Sequence, residues 1–420
     1  MIDLDCYKKE HCRLCDSADL KNVLKLTSTP PGNHFVKKEQ LGVTQACYPL
    51  ELDFCEQCKH VQLGHVVDPK ILYQKNYSYI SGTSPVFVKH LREYCDHITQ
   101  RYALSQDGLV LDIGSNDGTA LRFFKDAGYR VLGIDPATEI AHNANENGIE
   151  TLCDFFNLDI AKKYAPRYGK AKLINSHNAC AHIDDLSGVI EGVKYWLADD
   201  GLFVMEVGYL LDIYENTWFD TIYHEHVDFH TVAPLISFFK RFDMEVIHAE
   251  RISPQGGSVR VIAQQKNGPF SVDDSVSELV SLEKDKGLDQ PETFKKFGAH
   301  INKIKKRLSE IMVTLKDKGK SIASFGAPTK ATTLLSHFEL ADYLDFLVDD
   351  NPLKQGLYTP GSHIPVYSAD ALYEQKPDYL LILAWNFAQN IIEKHQAYLR
   401  QGGRFILPMP EPKIVTQDSP

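Results

Sequence analysis

The chain has 420 residues, of which 43% are hydrophobic and 24% charged, with 45 basic against 56 acidic side chains and a formal charge of −11. That length exceeds what one hydrophobic core ordinarily supports, so two or three globular domains are expected, and the acidic balance disfavours nucleic acid or an anionic membrane as the main partner. The N-terminus MIDLDCYKKEHCRLC has no apolar leader and no window approaches eighteen uninterrupted apolar residues, which predicts a cytoplasmic protein.

Nine cysteines in such a chain point to metal ligands and buried small side chains rather than a disulfide framework. Four of them fall as Cys12-Arg-Leu-Cys15 and Cys55-Glu-Gln-Cys58 in a short polar segment. Two such knuckles turn four thiolates toward one point, where a tetrahedral zinc ion leaves no coordination position open. The spacing therefore predicts a structural zinc site in a zinc-ribbon-like domain over residues 1–70, flanked by His11, His60 and His65.

A tyrosine- and serine-rich segment follows, Tyr73 to Ser84, readable as a surface loop or as a lid, and then a helix from Val86 to Tyr102. From there strand and helix signals alternate, which predicts a parallel sheet covered by helices within residues 71–270. The expected strands are Leu109–Ile113, Val131–Asp135, Leu173–Asn175 and Leu202–Glu206, with Val259–Gln264 closing the sheet after a Gly256-Gly257 turn.

The first strand runs into Asp112-Ile-Gly114-Ser-Asn116-Asp117-Gly118. A dinucleotide fold would place closely spaced glycines here, so that backbone amides reach a pyrophosphate. An acid at Asp117, where a phosphate would approach, repels that ligand. A ligand with an adenosine, no phosphate and a positive sulfonium suits the turn better, and S-adenosylmethionine is such a ligand. In this reading Asp112 and Gly114 shape the turn against its amino-acid end, and Asn116 is a further cofactor-binding candidate in it. Asp135 takes the ribose hydroxyls, Asp154 and Phe155 lie near the adenine, and Asn178 is close to the methyl donor. A dehydrogenase-like fold with a degenerate turn is the alternative.

The stretch WFDTIYHEHVDFHT, Trp218 to Thr231, concentrates Tyr223, His224, Glu225 and His226 in four consecutive positions. Its place between the strand ending at Glu206 and the one starting at Val259 puts it over the carboxyl edge, where parallel sheets hold ligands. An imidazole is suited to take a proton near neutral pH, and a neighbouring carboxylate can hold its tautomer, so His226 with Glu225 is the candidate pair. A helix-capping turn is the bland alternative.

Apolar residues at Ile301, Ile304, Leu308, Ile311 and Leu315 predict one long amphipathic helix around Phe297–Lys316, a connector within residues 271–320. Residues 321–420 read as a second Rossmann-like α/β domain, starting with Ile322–Phe325 and the turn Gly326-Ala-Pro-Thr-Lys330, then strands at Phe346–Val348, Tyr379–Leu383 and Arg404–Leu407.

Taken together, these strings resemble the zinc-containing, S-adenosylmethionine-dependent sugar C-methyltransferases, which methylate C3 of nucleotide-linked 4-keto deoxyhexoses. The resemblance runs nearly end to end and rests on the CxxC pairs, the Tyr77–Ser81 segment, DIGSNDG, YHEH, GGSVR from Gly256, GAPTK from Gly326 and DNPLKQGLYTPG from Asp350. It implies a Rossmann-like class I methyltransferase domain between the zinc unit and the C-terminal domain. It implies further that His226 is the base, Glu225 its partner, and Tyr223, His224 and Tyr77 or Tyr79 the groups that stabilise an enolate oxygen or orient the sugar. The C-terminal domain would hold the nucleotide diphosphate, dTDP or GDP, through Lys330 and Lys354, with Asp350 or Asn351 reading ribose or base. Where the family commonly carries a histidine ahead of G-G-S, this chain has Pro254-Gln255. Two other readings stay open, an O- or N-methyltransferase of another small molecule and a non-catalytic zinc-ribbon scaffold.

Overall fold

The computed structural model describes residues 5–74 and 80–417, so Tyr77 and Tyr79 lie outside the described residues. Strand β1 (Cys6–Lys8) pairs with β5 (His65–Val67) in a short ribbon, while β2 (Leu20–Thr29), β3 (Tyr48–Cys55) and β4 (Val61–Leu63) form an antiparallel sheet. The two-residue strand Asp228–Phe229, from the end of the WFDTIYHEHVDFHT stretch, adds to the edge of β4. The N-terminal unit is thus stitched to the loop that carries the candidate catalytic residues.

Helix α1 (Pro85–Arg101) starts with proline in its first turn and Ser84 capping the Phe87 amide, both helix-start chemistry. It leads into β6 (Leu109–Ile113), α2 (Thr119–Asp126), β7 (Arg130–Ile134), α3 (Thr138–Glu146), β8 (Thr151–Leu152), α4 (Leu158–Tyr168), β9 (Ala171–His177), α5 (Leu186–Trp196) and β10 (Leu197–Gly208). After α6 (Leu210–Glu215), β11 (the Asp228–Phe229 strand) and α7 (Val232–Lys240) come β12 (Met244–Ile252) and β13 (Ser258–Gln265). The sheet order is β8-β7-β6-β9-β10-β13-β12, parallel from β8 to β10. β13 runs antiparallel between β10 and β12. This is the expected Rossmann-like methyltransferase winding with one correction. The strand at Val259–Gln264 does not close the sheet but lies inside it, and the edge is β12, which the sequence reading left unassigned. A register shift between Val246 and His248 breaks the period-two pattern that would have marked β12 as a strand.

Helix α8 (Asp274–Asp285) and the long α9 (Pro291–Asp317) follow. α9 starts six residues before the predicted helix, with Pro291 in its first turn. Its buried stripe includes Ile301, Ile304, Leu308 and Leu315, and the helix packs along β2. The last unit contains β14 (Ile322–Phe325), α10 (Ala331–Phe338), β15 (Leu347–Val348), β16 (Val366–Tyr367), β17 (Tyr379–Ile382), β18 (Arg404–Leu407) and β19 (Lys413–Val415). Its order, β16-β15-β14-β17-β18-β19, repeats the winding of the central sheet's parallel part, with β19 antiparallel. Both sheets reverse their winding at one place, between β6 and β9 and between β14 and β17, and at such points the loops diverge and leave a crevice. No helix among the described residues is long and apolar enough to cross a membrane.

Candidate active site

A cleft of about 670 Å³ opens between the units and is lined from both switch points. On the central side the chain turns sharply after β6. Gly114 has φ +72°, and a Cβ there would meet the Ala179 Cβ at 2.5 Å, so the two loops touch and only glycine fits. Asn116 and Asn178 take φ of +50° and +57°, the left-handed region that asparagine tolerates better than most residues. Asp135 accepts the amides of Asn116 at 2.9 Å and Ala137 at 2.8 Å, and burial raises its proton affinity.

Asp112, Gly114, Asn116, Asp135, Asp154, Phe155 and Asn178 all line this end of the cleft. Phe155 is 40% exposed, unusual for its type and suited to a flat aromatic ligand. Asp112 Oδ1, Ser115 Oγ, Asn178 Nδ2 and both nitrogens of His177 are buried without a hydrogen-bond partner among the described residues. Buried polar atoms are ordinarily paired, so a ligand with its own donors and acceptors fits here. Asp117 departs from expectation. Its carboxylate caps the start of α2 through Thr119 and accepts the Gly82 amide, and it does not line the cleft. The acidity that disfavours phosphate comes from Asp112 and Asp135 instead.

Across from the cofactor end lie Tyr223, Glu225 and His226. His226 Nδ1 lies 2.8 Å from the Thr221 carbonyl, which can only accept, so Nδ1 carries the proton and Nε2 the lone pair. Nε2 receives the Tyr223 hydroxyl at 2.9 Å. Burial lowers the proton affinity of His226 to about 4, which keeps the ring neutral at pH 7. Glu225 is not the partner of His226. Residues 223–226 form a tight turn, with the His226 amide on the Tyr223 carbonyl, and adjacent side chains in it diverge. The Glu225 carboxylate instead takes the Asn33 amide at 3.1 Å, and burial raises its proton affinity to about 7 despite that bond and Lys354. His224 also departs from expectation. It lies outside the cleft, buried edge-on against Tyr48 with Nε2 donating to the Tyr48 carbonyl at 3.2 Å, and so docks the turn onto β3. His182 enters the site unannounced by the sequence, its ring 5.0 Å from that of His226 and its proton affinity lowered to about 3 by burial and by that neighbour. Its only sequence signal was its place four residues after Asn178.

The third unit contributes Thr329, Lys330, Asn386 and Phe387 to the same cleft. The Nζ of half-buried Lys330 lies between Trp218 and Trp385, 5.1 and 4.7 Å from the ring centroids and 3.5 Å from Asp220. Burial lowers its proton affinity against the pull of that acid. The other predicted substrate residues lie outside the cleft. Lys354 Nζ donates to the Ala327 carbonyl at 2.6 Å, Asp350 pairs with Lys394 at 2.6 Å, and the Asn351 side chain accepts the Leu353 amide. The acid at the strand end is Asp349, which accepts the amides of Ala327 and Asn351. The expected candidates, Asp350 and Asn351, lie one and two residues past it.

At the N-terminus, Cys12, Cys15, Cys55 and Cys58 present sulfurs all within 4.8 Å of one another, with Cys12–Cys58 and Cys15–Cys55 at 3.5 Å. A tetrahedron with Zn–S bonds of about 2.3 Å has edges of about 3.8 Å, so the four sulfurs fit zinc. Both knuckles turn alike, with Asp16 and Lys59 in the left-handed region and their amides on the carbonyls of Cys12 and Cys55 at 2.9 Å. His11, His60 and His65 are not in the cluster. Arg13, inside the first knuckle, reaches Asp184 at 2.8 Å on the cleft wall. The zinc unit therefore braces the cleft directly.

Fold and site together define a methyltransferase. The chain matches three family models in sequence, "Putative zinc binding domain" over residues 12–73, "Methyltransferase domain" over 87–249 and "C-methyltransferase C-terminal domain" over 253–410. It is 34% identical over 411 residues to C-methyltransferase NovU of Streptomyces niveus, covering 98% of each chain. The protein belongs to the family of zinc-containing, S-adenosylmethionine-dependent C-methyltransferases. Solved structures similar to part of it include an S-adenosylmethionine-dependent methyltransferase from Clostridium acetobutylicum, at 12% identity over 43% of this chain and 92% of that one, TM-score 0.36. Another is magnesium protoporphyrin IX methyltransferase from Synechocystis with bound S-adenosylmethionine, at 14% identity, 43% and 82% coverage, TM-score 0.33. At these scores the likeness assigns no residue a role.

Proposed function

We propose that the methyl acceptor is a nucleotide-linked 4-keto-6-deoxyhexose, dTDP- or GDP-bound, and that the reaction methylates C3 through an enolate, for branched-chain deoxysugar biosynthesis. One observation carries this reading: the switch points of two doubly wound sheets face a single cleft, with the proton-transfer residues between them. Such switch points seat nucleotide-like ligands, so the arrangement suits a donor on the central sheet and a nucleotide sugar on the third unit. Bound S-adenosylmethionine supplies the methyl group as an electrophilic sulfonium.

A 4-keto group acidifies the C3 hydrogen. His226 Nε2, neutral and with its lone pair released when the Tyr223 hydroxyl turns away, takes that proton; the C–H electron pair becomes the C3–C4 double bond and the carbonyl electrons move onto oxygen. Tyr223, which already donates to Nε2, is placed to turn its hydroxyl toward that oxygen. The imidazolium then formed offsets the enolate charge, which compensates the burial that disfavours it in the free protein. Tyr77 or Tyr79 is proposed to share the role of stabilising that oxygen or orienting the sugar. On the third unit Lys330 meets the diphosphate while Phe387, 57% exposed on the cleft rim, stacks against the base. Lys354, Asp350 and Asn351 shape the loop behind that seat.

The test is mass spectrometry of the protein with S-adenosylmethionine and a panel of dTDP- and GDP-linked 4-keto-6-deoxyhexoses in ordinary and heavy water. The expected result is one added methyl group, and deuterium at C3 when the methyl donor is omitted. Methylation without any exchange at C3 would point to an oxygen or nitrogen acceptor instead.

A further inference from the structure

Three units meet at one small group, the side chain of Asn33. The segment Pro30-Pro31-Gly32-Asn33 leaves the N-terminal sheet and wedges between the third unit and the YHEH turn. Gly32 sits so close to Thr329 that a Cβ there would lie 2.5 Å from the Thr329 carbonyl, and the Gly32 carbonyl accepts the Thr332 hydroxyl at 3.3 Å. On the other side Thr333 donates to the Ile222 carbonyl at 3.0 Å, fixing the start of α10 to the catalytic turn. Inside this junction Asn33 bridges. Its Oδ1 accepts the Thr329 hydroxyl at 2.9 Å and its Nδ2 donates to Glu225 Oε1 at 3.1 Å. In this orientation the amide nitrogen serves the carboxylate, which only accepts when ionised, and Oδ1 serves the threonine hydroxyl. Asn33, Thr329 and Glu225 all line the cleft.

We propose that Asn33 is a positioning residue of the active site, holding the Glu225 carboxylate in the cleft and favouring its ionised form, with Thr329 orienting the amide from the third unit. The zinc-bearing unit thereby supplies part of the site rather than only a support for it. Glu225 is 5% exposed, and burial drives its proton affinity up to about 7. Against that stand two groups among the described residues. One is the Asn33 amide, and the other is the Lys354 ammonium, held on the Ala327 carbonyl and facing Asp349 as well. Of the other neighbours on the turn, Tyr73 donates to the Glu225 carbonyl and not to its carboxylate, and His224 faces β3. Removing a donor to the charged form raises a carboxyl's proton affinity. Because Thr329 belongs to the turn after β14, a ligand settling on that turn displaces or tightens the Thr329–Asn33 bond and so retunes Glu225.

This rests on reading the cleft as a proton-transfer site, and the experiment separates the two. The Glu225 carboxyl is followed by infrared titration of the full zinc-loaded protein, assigned by its disappearance in Glu225→Gln. Asn33→Ala is expected to move that titration up by about one pH unit, the size of one lost hydrogen bond to a charged group. Asn33→Asp, nearly isosteric and so suited to preserve the fold, is expected to move it further up, because two acids then share the contact. Thr329→Val is expected to give a smaller upward shift. The alkaline or acid limb of the methylation rate governed by Glu225 should move with it. A titration unmoved in folded Asn33→Asp overturns the proposal, as does lower thermal stability with no shift in Asn33→Ala, which is what a merely structural residue would give. Shifts as expected, in a protein that methylates no 4-keto sugar, would uphold Asn33 and sink the acceptor instead.

Discussion

Asp135 after β7 and Asp349 after β15 occupy the same place in two sheets wound alike, and each accepts two backbone amides from the turns around it. Gly114 and Gly326 correspond as well, at φ +72° and +90°, each pressed on an alanine of the loop across the switch point. What differs is charge. The central edge gathers Asp112, Asp135 and Asp154, while Lys330 is the one lysine or arginine lining the cleft among the described residues, and it comes from the third unit. Behind it Lys354 braces the same turn. One winding has thus been given two electrostatic characters, an acidic edge suited to a cationic donor and a cationic edge suited to a polyanion.

The largest expected effect breaks the frame that holds the two edges face to face. Cys55→Ser should lose the single zinc per chain by metal analysis, and with it on the order of 10 kcal/mol of metal-linked folding in the N-terminal unit, visible as early unfolding in calorimetry. Complete metal loss with unchanged unfolding would contradict a structural role. Next, His226→Asn should lower kcat by about 10²- to 10⁴-fold while S-adenosylmethionine still binds in a calorimeter. A variant that exchanges the substrate C3 hydrogen at the normal rate removes His226 as the base.

A smaller effect concerns pH. The folded-state proton affinity of Glu225 lies above the ordinary glutamate value of 4.5, so its favourable contribution is full below about pH 4.5 and is lost as pH rises through about 7. The cost of holding it ionised is about 3 kcal/mol above that window. His182, His224 and His226, whose proton affinities are lowered, act with the opposite sign, losing their contribution as pH falls below 6.5. Glu225→Gln should therefore gain melting temperature over the parent at pH 8 and much less at pH 5. An equal difference at both values would mean the carboxylate is not held against burial.

Much of this was legible in the sequence because it rests on local chemistry. The CxxC knuckles, the strand Leu109–Ile113 and the turn after it each follow from residues within a few positions of one another, and the structure brings the named cofactor residues to one end of the cleft. The Tyr223–His226 turn was legible in place but not in direction. Nothing in Tyr-His-Glu-His tells which side chain faces β3 and which the cleft, since that is set by a tight turn and by partners 192 and 176 positions away, Asn33 and Tyr48. Asn33 and His182 were missed for the same reason, because their roles exist only once distant segments meet. The bulged strand β12 was missed because its side-chain alternation is interrupted.

The sharpest test of the comparison is a matched pair of small changes. In Gly114→Ala the new Cβ would lie 2.5 Å from Ala179 Cβ, and in Gly326→Ala 2.7 Å from Ala384 Cβ, each on a backbone of positive φ. Left-handed strain of about 1 to 2 kcal/mol and crowding of about 1 to 3 kcal/mol should apply to both, so the two proteins should lose similar stability. Their ligands should separate. Gly114→Ala should weaken S-adenosylmethionine binding with little change in the acceptor KM, because the moved backbone carries Asp112 and Asn116. Gly326→Ala should do the reverse, because the moved backbone carries Thr329 and Lys330. If either change weakened both ligands equally, the two edges would be one shared site, and the division of charge between them would not be a division of labour.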